Sequence, residues 1–382
     1  MRVYRGNGLG DFYYALLRTI TSHGREVVVR GHRCLELPEP VSLVYEKPGY
    51  CWMNIPKRRF NPFFAMAEVY WILSGDDSAD WIGYYNKRMF TFRDGENDQL
   101  HGAYGKRIRK WIYPAVGTIP GRPDEGKSWH PEYLDQIRHV VRKLREDPNS
   151  RQAVINLWDP VRDNLIKSND IPCNNIIYYS LRDGVLDQTV VIRSNDVVWG
   201  TPYNAVQYTH LHALVAGCLE ARMGTFTYVV QNIHYYFDLY KETLANLLEK
   251  AHEPPQGGPG ALIIPNFDTV TMEDFDLLGM NVETIYQAWS KIAWLPLKQA
   301  RFMGNGYWCQ TISWVLWIHR ILKEGTENLM DQESKQYLAE RILTLGSPLV
   351  EMILDFTSEM TKSKLPGEVA QICQKMLQPS NS

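Results

Sequence analysis

The chain has 382 residues, of which 45% are hydrophobic and 22% charged, and its formal net charge is −2. Those values fit an ordinary globular protein with room for a large core and an added segment. They exclude the strongly basic surface of a protein that coats nucleic acid. Six scattered cysteines form no Cys-x-x-Cys pair and no zinc spacing, so no metal site is expected. No secretion segment opens the sequence and no apolar run has membrane-spanning length, so reduced thiols, no membrane partner and a cytoplasmic location are expected.

Residues 11–23 predict a helix and "REVVVRGHRCLEL" (25–37) a strand. "PFFAMAEVYWILS" (62–74) predicts a buried helix with Pro62 at its start. Residues 76–127 are polar and Gly-rich, which predicts long loops with short helices, and 130–150 is an amphipathic helix stopped by Pro148. A β-rich centre follows, with strands at 151–158, 175–182 and 185–193, the last two joined by an Asp183-Gly184 hairpin turn. Then come a helix at 204–221, a strand at 224–236, a helix at 237–251, a loop at 253–260 and a strand at 261–267. From about 281 only helical patterns persist, as in "QTISWVLWIHRILKEG" (310–325). The expected fold class is therefore α/β (α+β), with a main domain over 1–280 and a helical extension over 281–382.

One cysteine stands out. Cys173 lies at a strand edge, and Arg193 follows one hairpin later. In-register pairing makes the two neighbours, and a guanidinium beside a thiol is expected to lower its pKa and create a nucleophile. Arg193 and Ser194 also suit a phosphate. Most lone cysteines are small core residues, and that reading stands beside the catalytic one. Glu68 is the second feature: a carboxylate in an apolar helix, either solvated or buried with a raised pKa suited to moving protons.

The ordered segments "FAMAEVYWILSGDDS", "GAYGKRIRKW", "DPNSRQAVINLWDP", "IPCNN", "IRSNDVVWGTPYN" and "QNIHYYFDLY" resemble the thymidylate synthase superfamily across roughly residues 11–280. The resemblance implies that family's fold, a twisted mixed β-sheet with covering helices. It implies that Cys173 attacks C6 of a pyrimidine nucleotide, so that C5 takes a one-carbon unit from 5,10-methylenetetrahydrofolate. It gives Glu68 proton movement around O4 and N3, and Tyr104 the removal of the C5 proton through water. Arg193, Ser194 and Arg30 would hold the phosphate, Arg151 would complete that site across a homodimer, and His234 and Tyr236 would bind the sugar 3′-hydroxyl. Asp196, Phe90, Arg58, Trp199, Gly200 and Tyr203 would meet the folate. Addition of the thiolate has a chemical purpose: C5 of an aromatic pyrimidine is a poor nucleophile until C6 is saturated.

The chain departs from the methylating members. Asn174 follows the cysteine where they carry histidine, Phe90 replaces a tryptophan, Arg93 another, and Gln152 one phosphate arginine. "RSNDVV" and "PCNN" look more like phage pyrimidine hydroxymethylases, in which water rather than hydride completes the transferred carbon. Neutral drift, or compensation by Trp199, is the competing explanation. Methylation of deoxyuridylate, hydroxymethylation of deoxycytidylate and an inactive nucleotide sensor stay open as alternatives. Asn204 ends "GTPYN"; its amide matches the N3–H and O4 of uracil, and it also suits a helix N-cap. The short basic run at 57–60 is either a solvated loop or a contact for the folate tail.

Overall fold

A computed structural model describes residues 1–53, 58, 60–96, 98–113, 132–252, 315–316, 318–319, 322–323, 332–343, 347–358 and 367–377. The expected loop at 253–260, the strand at 261–267 and much of the helix at 310–325 lie outside the described residues. In chain order the strands are β1 (Arg2–Gly6), β2 (Arg25–Val29), β3 (His32–Glu36), β4 (Val41–Tyr45), β5 (Trp111–Tyr113), β6 (Glu132–Leu134), β7 (Val154–Asn156), β8 (Asn174–Arg182), β9 (Val185–Ile192), β10 (Asn195–Asp196), β11 (Arg222–Val230) and β12 (Ile233–Tyr236).

Six of them form a mixed sheet in the order β1-β4-β11-β9-β8-β7, and four form a second sheet, β10-β12-β3-β2. Side chains alternate across the large sheet as strand geometry requires. Ile177, Tyr179, Val190, Ile192, Phe226 and Tyr228 face inward and are buried. Ile176, Thr189, Val191, Thr227 and Val229 on the other face are only half-buried, and Tyr178 is exposed. The inward face packs on the central helix Gly200–Cys218, which is buried almost all round. A helix buried on nearly every side, polar residues included, lies in the middle of the protein. The Pro62–Ser74 helix packs on it in turn. Asn61 caps that helix by accepting from the Phe64 N–H at 3.0 Å, and Pro62 opens its first turn.

Three expectations are corrected. The single strand at 25–37 is a hairpin, because Arg30 and Gly31 both take positive φ (53° and 81°) and reverse the chain. The strand at 224–236 is two strands in different sheets, separated by Gln231 and Asn232. The central helix begins at Gly200, so Asn204 lies within it and is not its N-cap.

Described residues beyond 315 pack on the elements before residue 252. His319 meets Phe63 with ring centroids 5.0 Å apart, Phe356 meets Phe63 at 5.9 Å, and the Lys323 ammonium sits 3.5 Å over the Tyr84 ring. Among the described residues no helix is long and apolar enough to cross a membrane, and no His/Cys/Asp/Glu group could hold a metal ion.

Candidate active site

The β8–β9 hairpin delivers the first pair. Its turn residues Asp183 and Gly184 take positive φ (50° and 70°), the geometry that matches strand twist. Asn174 pairs with Ile192, and one step further out the Arg193 N–H donates to the Cys173 carbonyl at 2.9 Å. The Arg193 guanidinium then folds back over the loop. Nε donates to Pro172 O and Nη2 to Ile171 O, both at 3.0 Å, and Nη2 lies 3.8 Å from Cys173 Sγ. The expected cation is therefore held beside the sulfur. The expected lowering of the thiol pKa is not observed. Burial pushes it up, Arg193 opposes that, Asp170 adds to it, and Arg30 opposes it more weakly. The desolvation of the sulfur outweighs both cations, so the resting nucleophile is a thiol.

Tyr104 supports the same loop. Its hydroxyl accepts from the N–H groups of Cys173 (3.1 Å) and Asn174 (3.2 Å). Gly105 makes this possible, since a Cβ there would stand 2.5 Å from the Trp71 carbonyl oxygen, so only glycine lets the Tyr104–Arg109 helix close on the Pro62–Ser74 helix. One turn on, Arg107 forms a buried two-bond pair with Asp163 (2.8 and 2.7 Å), which also takes His101 at 2.8 Å. Burial keeps the Tyr104 phenol neutral by raising its pKa.

Glu68 is half-buried on the Pro62–Ser74 helix, with its carboxyl end turned away from solvent. Its Oε2 is sealed from solvent, and burial pushes the carboxyl up to about 8, against the pull of a Gln207 hydrogen bond. Gln207 lies three residues beyond Asn204 on the central helix, one helical neighbour away. Asn204 donates from Nδ2 to the Tyr228 hydroxyl at 2.9 Å. Nearby, a Cβ on Gly200 would stand 2.6 Å from Asn195 Oδ1, and neither amide atom of the buried Asn195 has a partner among the described residues.

The small sheet supplies an aligned row. Asp196 pairs with His234, His234 with Glu36, and Glu36 with Arg25, across β10, β12, β3 and β2. Asp196 is fixed from two sides: Oδ1 accepts from the N–H groups of Val198 (2.8 Å) and Trp199 (3.1 Å), and Oδ2 accepts from the Tyr240 hydroxyl at 2.8 Å. Tyr240 stacks parallel to Trp199 at 6.5 Å, and the Arg88 guanidinium covers Trp199 at 4.9 Å. Tyr236 packs edge-on against His234 at 5.2 Å, and burial raises its pKa while Arg30 pulls it down.

The remaining expected site residues are less gathered. Ser194 is half-buried beside Arg193, while Arg151 is exposed with no contact to the Cys173 cluster among the described residues. Phe90 packs against Gly83 and carries the Arg93 guanidinium 4.5 Å over its ring. Arg58 lies against the first turn of the central helix. It is buried beneath the surface, donates to Val198 O at 2.5 Å, and lies over the rings of Phe60 (5.1 Å) and Tyr203 (5.8 Å). Its neighbours at 57 and 59 lie outside the described residues. Sequence reasoning missed Gln207, Tyr228, Asn232, Glu36, Arg88 and Tyr240. Helical spacing from Asn204 was a signal for Gln207; sheet pairing brings in Glu36 and Tyr228, while Asn232, Arg88 and Tyr240 come from segments outside the strands.

A cysteine beside an arginine, a desolvated acid on the Pro62–Ser74 helix and a polar amide on the central helix make up the candidate active site. The family model described as thymidylate synthase matches residues 12–293. The chain belongs to the thymidylate synthase family. Within it the chain is similar to the deoxyuridylate hydroxymethyltransferase of Bacillus phage SP01, 31% identical over 254 residues that cover 66% of this chain and 63% of that protein. It is also similar to the deoxyuridylate hydroxymethyltransferase of Pseudomonas phage M6, 31% identical over 222 residues, 58% of this chain and 57% of that protein. The chain thus matches about three-fifths of the length of these two relatives.

Proposed function

We propose that the chain is a deoxyuridylate hydroxymethyltransferase, joining a one-carbon unit from 5,10-methylenetetrahydrofolate to C5 of deoxyuridylate with water completing the hydroxymethyl group. The observation that carries this reading is Arg193 clamped 3.8 Å from Cys173 Sγ, in a chain similar to two phage enzymes of that name.

Cys173 gives up its proton and adds to C6 of the base, which makes C5 nucleophilic. Arg193, Ser194 and Arg30 hold the phosphate, with Arg151 supplied by the second subunit of a homodimer. The half-exposed face of the large sheet is the surface offered for that dimer. Glu68, neutral because it is buried, donates a hydrogen bond toward O4 and moves protons there. Tyr104 stays a neutral phenol and orients water for removal of the C5 proton. His234 and Tyr236 hold the sugar.

A pterin fits the wall made by Asp196, Trp199 and Tyr240: a flat ring takes an aromatic face, and an amino-pyrimidine edge takes a carboxylate. Phe90 and Gly200 border that wall. When bound, methylenetetrahydrofolate supplies the one-carbon unit. Asn174, and the unpartnered amide of Asn195, favour water at the last step, since both offer polar atoms where a methylating enzyme needs dryness. The division at about residue 280 and a cytoplasmic setting belong to the same reading.

Product analysis tests it. Incubation with deoxyuridylate and methylenetetrahydrofolate yields tetrahydrofolate and a nucleotide carrying one oxygen more than thymidylate. Thymidylate with dihydrofolate would overturn the hydroxymethyl step. Absence of a covalent adduct with 5-fluorodeoxyuridylate would point to a nucleotide sensor.

A further inference from the structure

Tyr228 lies on the inner face of β11, 1% exposed, and the mechanism above gives it nothing to do. Its hydroxyl joins two functional amides. It accepts from Asn204 Nδ2 at 2.9 Å and donates to Asn174 Oδ1 in a short hydrogen bond. Asn174 directly follows the nucleophile, is 1% exposed, and lies with its amide beside the Tyr104 hydroxyl.

A phenol owns one proton. Here Asn174 takes it, so toward Asn204 the Tyr228 oxygen can only accept. That fixes which end of the Asn204 amide turns to Tyr228. The reverse orientation would set an amide oxygen against a phenol lone pair, with no proton between them. With the nitrogen pinned, Asn204 offers its second N–H and its Oδ1 in a set order. A carbonyl beside a ring N–H, the edge of uracil, matches that order. An amino group beside an unprotonated ring nitrogen, the edge of cytosine, needs the amide turned round.

We propose that Tyr228 is a specificity-determining residue, which through the Asn174–Tyr228–Asn204 relay holds the Asn204 amide in the orientation that reads uracil and rejects cytosine. The proposal rests on the reading that the nucleotide base meets Asn204, and it adds what decides between the two pyrimidines. The residue after the nucleophile thereby acts on base choice as well as on the last chemical step.

Calorimetric titration of the full chain with deoxyuridylate and, separately, deoxycytidylate tests the relay. Tyr228→Phe keeps the ring among Tyr208 and Phe226 and removes only the hydroxyl. The preference for deoxyuridylate falls by about tenfold or more, through weaker deoxyuridylate and stronger deoxycytidylate binding. Asn174→Ala frees the Tyr228 proton to turn toward Asn204 Oδ1 and narrows the preference in the same direction, whereas Asn174→Asp retains the acceptor and the preference. Variants that keep the wild-type ratio, or lose both nucleotides in equal proportion, overturn the relay while leaving the nucleotide reading intact. A wild-type protein that binds neither nucleotide overturns both.

Discussion

His234 stands directly opposite Glu36 across the antiparallel β12–β3 pair, and Asn232 bridges them. Asn232 Nδ2 donates to Glu36 Oε2 at 2.6 Å, so its Oδ1 is left to accept from His234 Nδ1 at 2.8 Å. Glu36 is itself held by Arg25 through two hydrogen bonds, at 2.8 and 2.6 Å. Burial lowers the His234 pKa although Asp196 and Glu36 pull it up. The ring is therefore neutral with its proton on Nδ1, and Nε2 is the acceptor that a sugar hydroxyl requires.

Breaking that bridge separates binding from chemistry. In Asn232→Ala the KM for deoxyuridylate rises by roughly tenfold, with kcat little changed. The 3′-deoxy analogue, which has no hydroxyl to donate, is bound equally by wild type and variant. Steady-state kinetics with both nucleotides check this; an equal loss for the analogue would mean that Asn232 only shapes the fold.

Glu68 couples catalysis to stability. Glu68→Gln removes the movable proton and lowers kcat by about 10²–10⁴-fold. The same change has a pH signature. The folded protein keeps the Glu68 proton up to about 8, whereas the unfolded chain releases it near 4.5. Stability from the neutral form is therefore complete below 4.5 and is lost as pH rises through about 8. Melting curves of wild type and Glu68→Gln coincide below about pH 4.5, diverge progressively as pH rises from there to about 8, and keep that separation above it, with the variant the more stable. Parallel curves across the range would refute a buried neutral acid.

Cys173 rests as a thiol, so its reactivity in the free enzyme is limited by deprotonation. Alkylation by iodoacetamide at that residue rises with pH along a curve centred above that of an ordinary exposed thiol, because burial raises its pKa. Peptide mapping by mass spectrometry measures it. A plateau already reached at neutral pH would show a stabilised thiolate. Cys173→Ser forms no adduct with 5-fluorodeoxyuridylate.

Asp163 anchors the helix that carries Tyr104. Asp163→Ala strands the buried Arg107 charge and costs about 3–5 kcal/mol, read as a lower midpoint in urea. Burial opposes ionisation of Asp163, but the Arg107 hydrogen bonds, the Asp159 N–H and His101 hold its carboxyl below the usual range. Its contribution is thus present above the ordinary aspartate value, about 3.9, and is lost as pH falls through the lowered one. A variant as stable as wild type at pH 7 would show that the pair does no more than offset its own desolvation.

Local pattern alone determined much of this protein. The Asp183-Gly184 turn and the branched residues around it fix a hairpin, while a bulge between Asn174 and Ile176 shifts its register by one and so sets Arg193 against Cys173. The apolar stretch around Glu68 likewise buries that carboxyl. Tertiary structure decided the rest, because desolvation, sheet order and close approach are properties of a packed interior. It set the sign of the Cys173 shift, where burial beats a neighbouring cation. It turned Arg58 inward and put Asn204 inside a helix instead of at its cap. It also brought Glu36 to His234, and Tyr228 between Asn174 and Asn204, partners from strands far apart in sequence whose pairing no local period encodes.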